Sequence, residues 1–244
     1  MKLLAALILS LCLASDAIGA LAVVQSVSAS SNGAVTSVTT GNITTTAGNL
    51  IVCDIAYYGV FVSLVDSKGN TFVDAVAEMT GSDPDGHLRQ MYKENAAGGA
   101  THNFTLTLSP AGYPSINCTE ISSASTSGAL DKTSSNVQES GAGDPRTSGS
   151  TAGTVQNAEI LKGACTSPDT GTFTSLGSFT NNFNVATDAD TMGLVSAYEI
   201  SSAAGAKAYT ANLDLDYRSL CLIGTYKEAA AGGAVVAGPR RRGW

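Results

Sequence analysis

The strongest constraint on this chain is a strand-like unit that occurs twice. Residues 91–121 read MYKENAAGGATHNFTLTLSPAGYPSINCTEI, and residues 197–226 read AYEISSAAGAKAYTANLDLDYRSLCLIGTY. Tyr92 answers Tyr198, and Ala96-Ala97-Gly98 answers Ala203-Ala204-Gly205. His102, Phe104, Leu106 and Leu108 answer Tyr209, Ala211, Leu213 and Leu215 at one offset. Between them stand Asn103, Thr105 and Thr107 in one copy, and Asp214 and Asp216 at or beyond the end of the other. A period of two with one wet face is the pattern of an antiparallel sheet. A repeat on this scale predicts a β domain built from two similar halves.

The rest of the chain reads the same way. Asn49–Tyr57 (NLIVCDIAY) is an apolar run of strand length, followed by Val60–Val65, the turn DSKGN at 66–70, and Thr71–Val76. Asp and Asn tolerate unusual backbone angles and Gly supplies positive φ, so that turn joins two strands. TTAGNLIVCDI (45–55) is echoed by STAGTVQNAEILKGAC (150–165), with a small insertion in the second. The alanine-rich stretches 96–100, 203–206 and 229–234 are short and glycine-broken, so no helix is expected. About a dozen strands with closely spaced turns predict an all-β antiparallel sandwich of jelly-roll type. One domain is expected over 23–228, with halves at about 35–122 and 148–227. Ser122–Thr154, rich in Ser, Thr and Gly, reads as a long surface loop between them. The two halves would stack and bury each other's faces. The tail 229–244 reads as disordered.

The N-terminus places the chain in a compartment. Lys2 precedes an apolar run, Leu3–Ala14, and small residues follow, which is signal-peptide grammar with cleavage after Ala20 or Ala22. The run is too short to span a bilayer, so residues 1–22 are expected to be a signal peptide and no membrane span is expected. Secretion permits disulfides. Beyond Cys12 stand Cys53, Cys118, Cys165 and Cys221, all in strand-like runs. They suit either two disulfides, with three pairings open, or small buried hydrophobes. Their spacing excludes a CxxC zinc or redox motif. A net charge of −7, more negative still without Arg240, Arg241 and Arg242, argues against nucleic acid as a partner.

The order of motifs resembles a family of secreted or phage-associated bacterial β-sandwich proteins. Its members combine an AxxLVV strand, a DSxGNxY hairpin, a YxxNxAGGxxTVTxT unit and an EYSG closing strand. The matching stretches here are Ala47–Cys53, Asp66–Phe72, Tyr92–Thr107 and Cys118–Ser122. The resemblance spans residues 35–227, and the chain departs from it at Thr225-Tyr226-Lys227. It implies a jelly-roll-like fold and a surface, adhesive or virion-structural role. It carries no catalytic residues.

Candidate chemistry is sparse. Of two histidines, His102 heads an apolar strand face and reads as a structural, partly buried side chain. His87 sits in the turn DPDGH and reads as solvated. No GxSxG elbow accompanies either. Glu94 and Glu199 fall near equivalent positions of the two halves, where a glycosidase reading would place its two carboxylates. They read instead as exposed strand ends, so no enzyme is expected. Tyr57, Tyr58 and Tyr113 stand at strand ends and in a loop, where exposed rings would stack on a sugar. They are the candidate ligand-binding residues of the alternative reading, a carbohydrate-binding module with a glycan or surface polymer as partner. A jelly-roll hydrolase is the third reading, and self-association the other partner class. No cofactor is required. Calcium would suit oxygen-rich turns, with Asp188 and Asp190 as the candidate ligands beside Asp66, Asn70, Asp83 and Asp85. Sequons occur at Asn42, Asn103 and Asn117. The protein is expected outside the cell, or on a virion surface.

Overall fold

The computed structural model describes residues 19–81, 86–154, 156–167, 171–185, 192–214 and 217–230. Residues 1–18, where most of the expected signal peptide falls, the tail from 231, and Asp83, Asp85, Asp188, Asp190, Leu215 and Asp216 lie outside them. The described residues form strands and turns and contain no helix.

The first half runs β1 (Ala22–Ser30), β2 (Val35–Thr39), β3 (Ile43–Thr45), β4 (Leu50–Tyr58), β5 (Phe61–Asp66), β6 (Val73–Thr80), β7 (Gly86–Lys93), β8 (Gly99–His102), β9 (Phe104–Gly112) and β10 (Ser115–Ser122). The second runs β11 (Leu130–Gln138), β12 (Arg146–Thr147), β13 (Glu159–Ser167), β14 (Phe173–Ser175), β15 (Thr180–Val185), β16 (Gly193–Ser201), β17 (Thr210–Leu213) and β18 (Ser219–Lys227). Five strands order as β1-β10-β4-β7-β6, and β2-β9-β5 form a smaller sheet. The second half repeats this as β11-β18-β13-β16-β15 and β12-β17-β14. The succession β1-β10-β4-β7 over β2-β9-β5 is jelly-roll order, with β6 paired to β7 rather than to β5. The antiparallel sandwich built from two similar halves is therefore present: each half has a five-stranded and a three-stranded sheet of its own, and in the first β3 also pairs with β8.

Two boundaries differ from the sequence reading. The first half begins at β1 rather than near residue 35, and the stretch read as a loop holds β11 and β12. Thr133, Ser135 and Gln138 made 130–138 look like loop, but β11 is an edge strand. Edge strands tolerate polar side chains on their open side. The alignment of Tyr92 with Tyr198 is also two residues out. Met91 faces Cys53 and Val195 faces Cys165, whereas Tyr92 faces Val52 and Tyr198 faces Lys162. A slip of two preserves the face, which hid it in the pattern.

Each half packs a core between its sheets. Ile51, Cys53, Ile55, Phe104 and Leu106 belong to the first, and Leu161, Cys165, Val195, Ala211 and Leu213 to the second. The alternation at 102–108 holds, since His102, Phe104, Leu106 and Leu108 are all buried. The opposite faces of the five-stranded sheets meet each other. Ala56, Leu88, Ala164, Leu194 and Leu222 form one apolar cluster across that interface. Leu50, Val52, Ile121, Ile160 and Tyr226 form another. Both faces of β4 are thus covered, so its sequence reads as an apolar run interrupted only by Asp54.

All four candidate cysteines are paired. Cys53 and Cys118 join β4 to β10, and Cys165 and Cys221 join β13 to β18, with Cα separations of 4.0 and 4.1 Å. Both pairs sit directly opposite one another in the ladder. The disulfides occupy equivalent positions in the two copies, which selects one of the three pairings and the disulfide over the thiol reading.

Candidate functional site

The DSxGN and AAGG motifs prove to be one clasp. Asp66 Oδ1 accepts the backbone N–H groups of Lys68 (3.0 Å) and Asn70 (2.9 Å), and Oδ2 accepts the Asn70 amide (2.6 Å). Asn70 in turn accepts the N–H of Ala97 at 2.8 Å and donates to its carbonyl at 3.1 Å. His102 is buried, with Nε2 2.8 Å from Asp66 Oδ2 and Nδ1 2.6 Å from the Thr45 hydroxyl. Burial would raise the Asp66 pKa, but the hydrogen bonds from Asn70, His102 and Lys68 outweigh it and hold it below the ordinary value. His102 is fully buried, with both ring nitrogens engaged by Asp66 and Thr45.

Of the two carboxylates singled out by sequence, Glu94 is spent on a tie. Glu94 accepts the backbone N–H of Ala129 at 2.7 Å, anchoring the connection into the second half. Glu199 lies half-exposed on β16. Glu120 is buried and accepts from Thr46 N–H, Asn49 and Gln25 at 2.7, 2.6 and 2.6 Å. The sequon residue Asn117 is buried between the halves, so the folded chain offers no room for a glycan there. The calcium candidates Asp188 and Asp190 lie outside the described residues. Among the described residues, no cluster of three or more His, Cys, Asp or Glu side chains is placed to hold a metal ion. No helix among them is long and apolar enough to cross a membrane.

The residues that do converge lie at one end of the first sandwich. Tyr57 is not exposed, as its strand-end position suggested; it is fully buried and belongs to the first core. The period of two points it inward, and Tyr58 the other way, where it packs on the cluster between the halves. The Tyr57 hydroxyl donates to Glu78 Oε1 at 2.8 Å. The same oxygen lies 2.8 Å from His87 Nδ1. The His87 ring stacks on Tyr57, with centroids 4.9 Å apart and planes 11° from parallel. His87 is not a solvated turn residue: it is the second residue of β7, and its side chain is 13% exposed against 37% for Glu78. Burial, then the hydrogen bond and charge of Glu78, push the Tyr57 phenol up, so it stays a neutral donor.

Around this trio Gly59, Val60, Glu78, Thr80, His87 and Pro110 enclose a groove of about 560 Å³. β6 leaves the smaller sheet and pairs with β7, and that places Glu78 and Thr80 on one wall, with Val60 just ahead of β5 on the other. Gly112 lets the β9–β10 turn close over the end of β4, because a Cβ there would lie 2.0 Å from the Tyr58 carbonyl oxygen. Tyr113, half-buried in that turn, meets Tyr58 edge to face at 5.9 Å. Behind the groove Arg89 makes paired hydrogen bonds to Asp74 at 2.5 and 2.6 Å and lies 4.2 Å over the Phe61 ring.

The chemistry of the trio follows from its hydrogen bonds. A carboxylate oxygen at Nδ1 selects the tautomer that carries its proton there, which leaves Nε2 as an acceptor. Sequence reasoning missed this site because its three members lie on three strands. The available signal was a pair of polar residues, Glu78 and Thr80, a few positions ahead of a histidine. No family model matches the chain, and no curated protein or solved structure shows significant similarity to it.

Proposed function

We propose that this chain is an extracellular, non-enzymatic module with a surface role, adhesive or virion-structural. The observation that carries the reading is the equivalent pair of cross-strand disulfides, one in each of the two sheets that face each other. Disulfides persist in oxidising compartments, outside the cytosol. They agree with the signal-peptide grammar of residues 1–22 and with the resemblance to secreted and phage-associated sandwiches. The ionisable groups at the interface and in the turns serve as ties between strands and halves, an economy that suits a scaffold.

The test is recovery of the protein from its native host. The mature chain is expected outside the cell or in particles, starting near Leu21 or Val23, and to bind cells or assemble in electron micrographs. Full-length chain retained in the cytosol with four reduced cysteines overturns the extracellular part. Turnover of a polysaccharide panel that Glu94→Gln, Glu199→Gln or Glu78→Gln abolishes, with folding intact, overturns the non-enzymatic part.

A further inference from the structure

We propose that the groove between Val60 and His87 is a saccharide subsite, read by Glu78 and His87. The inference deepens the surface-module reading by naming a partner class and the residues that meet it.

Two polar groups on the groove wall are left over after the internal hydrogen bonds are assigned. Both contacts to Glu78 fall on Oε1, so Oε2 makes no hydrogen bond among the described residues. The His87 contacts fall on Nδ1, so Nε2 makes none either. In the neutral imidazole both leftovers are acceptors, a carboxylate oxygen and the ring nitrogen that carries no proton. A matching ligand must bring donors. Carboxylates and phosphodiesters bring none, and any anion meets the charge of Glu78. Neighbouring hydroxyls of a sugar bring two separate O–H donors and further oxygens for the Thr80 hydroxyl.

The remaining walls fit the same ligand. Val60 is 61% exposed and Pro110 stands beside it, an aliphatic surface for sugar C–H groups. A cationic amine also donates, but the Tyr57 ring face is taken by His87, so it offers no open aromatic face for cation–π contact. The volume of about 560 Å³ falls in the usual range for small-ligand sites, roughly 300–1,000 Å³. The imidazole is pre-oriented by its stack on Tyr57 and its bond to Glu78, so little ordering remains to be done on binding. The tyrosines anticipated as sugar platforms act differently here: Tyr57 holds His87 from behind, and Tyr58 and Tyr113 pack on each other.

The experiment follows the His87 ring by NMR while glucose, galactose, mannose and N-acetylglucosamine are each added. Concentrations run to about 20 mM, since single-sugar sites bind weakly. His102, buried and bonded to Asp66 and Thr45, is the internal control. At least one sugar is expected to shift the His87 resonances and leave those of His102 in place. Glu78→Gln and Val60→Asp are expected to weaken that sugar tenfold or more. Both sites are solvent-exposed, so a folded variant is expected in each case. The proposal is overturned if no sugar moves His87, if both variants bind as well as wild type, or if butylammonium shifts His87 at lower concentration than every sugar. Assembly and surface retention of the same preparation are measured separately, so a silent groove leaves the surface-module reading standing.

Discussion

Lys162 of the second half carries its ammonium 3.5 Å from the carboxylate of Asp54 in the first, and neither side chain reaches solvent. The pair lies between two apolar clusters where the five-stranded sheets meet. Ser196 donates to Asp54 at 2.6 Å, and Lys162 donates to Ser196 and Thr119 at 2.9 and 3.2 Å. Gln90 donates to Asp54 at 2.7 Å and accepts from the Tyr226 hydroxyl at 2.9 Å. Gly224 leaves the room for Gln90, since a Cβ there would stand 2.2 Å from its amide oxygen. Burial pulls the Lys162 pKa down, and the charge and hydrogen bond of Asp54 oppose that pull. Apolar faces slide on one another at little cost, whereas a buried charge pair is satisfied in one alignment only. The network therefore fixes how the halves register.

Lys162→Met is expected to destabilise the chain by about 3–5 kcal/mol, because it strands a buried carboxylate. Asp54→Asn combined with Lys162→Met should recover part of that loss. Chemical denaturation of the two variants checks it. A double variant no more stable than Lys162→Met alone would show that the pair is not coupled.

The two disulfides close loops of similar length, with sequence separations of 65 and 56. Removing either pair by Cys→Ala substitution is expected to cost about 2–4 kcal/mol, and the two losses should be alike. Thermal unfolding with and without reductant measures the cost. Peptide mapping without reduction should recover Cys53 linked to Cys118 and Cys165 linked to Cys221, and any crossed linkage contradicts the fold.

Leu106 is buried on β9 and Thr105 faces outward beside Thr39. Leu106→Ala should cost about 2–5 kcal/mol and Leu106→Asp should prevent folding. Thr105→Asp should change stability by less than about 1 kcal/mol. Equal damage from Leu106→Asp and Thr105→Asp would mean that both faces of the small sheet are covered.

The Asp66 clasp makes one part of the acid limb predictable. Its carboxyl titrates below the ordinary value of 3.8 in the folded chain. Between the folded and unfolded values the unfolded chain binds more protons, so stability rises with pH across that window and is level above it. As pH falls through the folded value the contribution disappears. Asp66→Asn should lower the melting temperature at pH 7 and flatten the dependence below pH 4. A parallel curve, shifted without flattening, would assign the acid limb to other carboxylates.

Much of the architecture was legible in the residues. The alternation at 102–108 named the buried face of β9, and DSKGN marked the turn between β5 and β6, because both are local consequences of backbone geometry; that those two strands enter different sheets and form no hairpin was not written there. The duplication was legible too, since two similar strand units produce two similar sets of sheets. Less legible was β11: an edge strand with one open side needs little apolar sequence, and 130–138 has little.

The sequence by itself determined the all-β class, the doubled plan and the inward faces, because a strand's period of two is written into neighbouring residues. The tertiary structure alone decided which cysteines meet, that Asp54 finds Lys162, and that Tyr57, Glu78 and His87 form one trio. Those partners are separated by 65, 56 and 108 positions for the cysteines and the charge pair, and they lie on different strands. Their meeting depends on strand order and on the stacking of two halves, and no local pattern carries either.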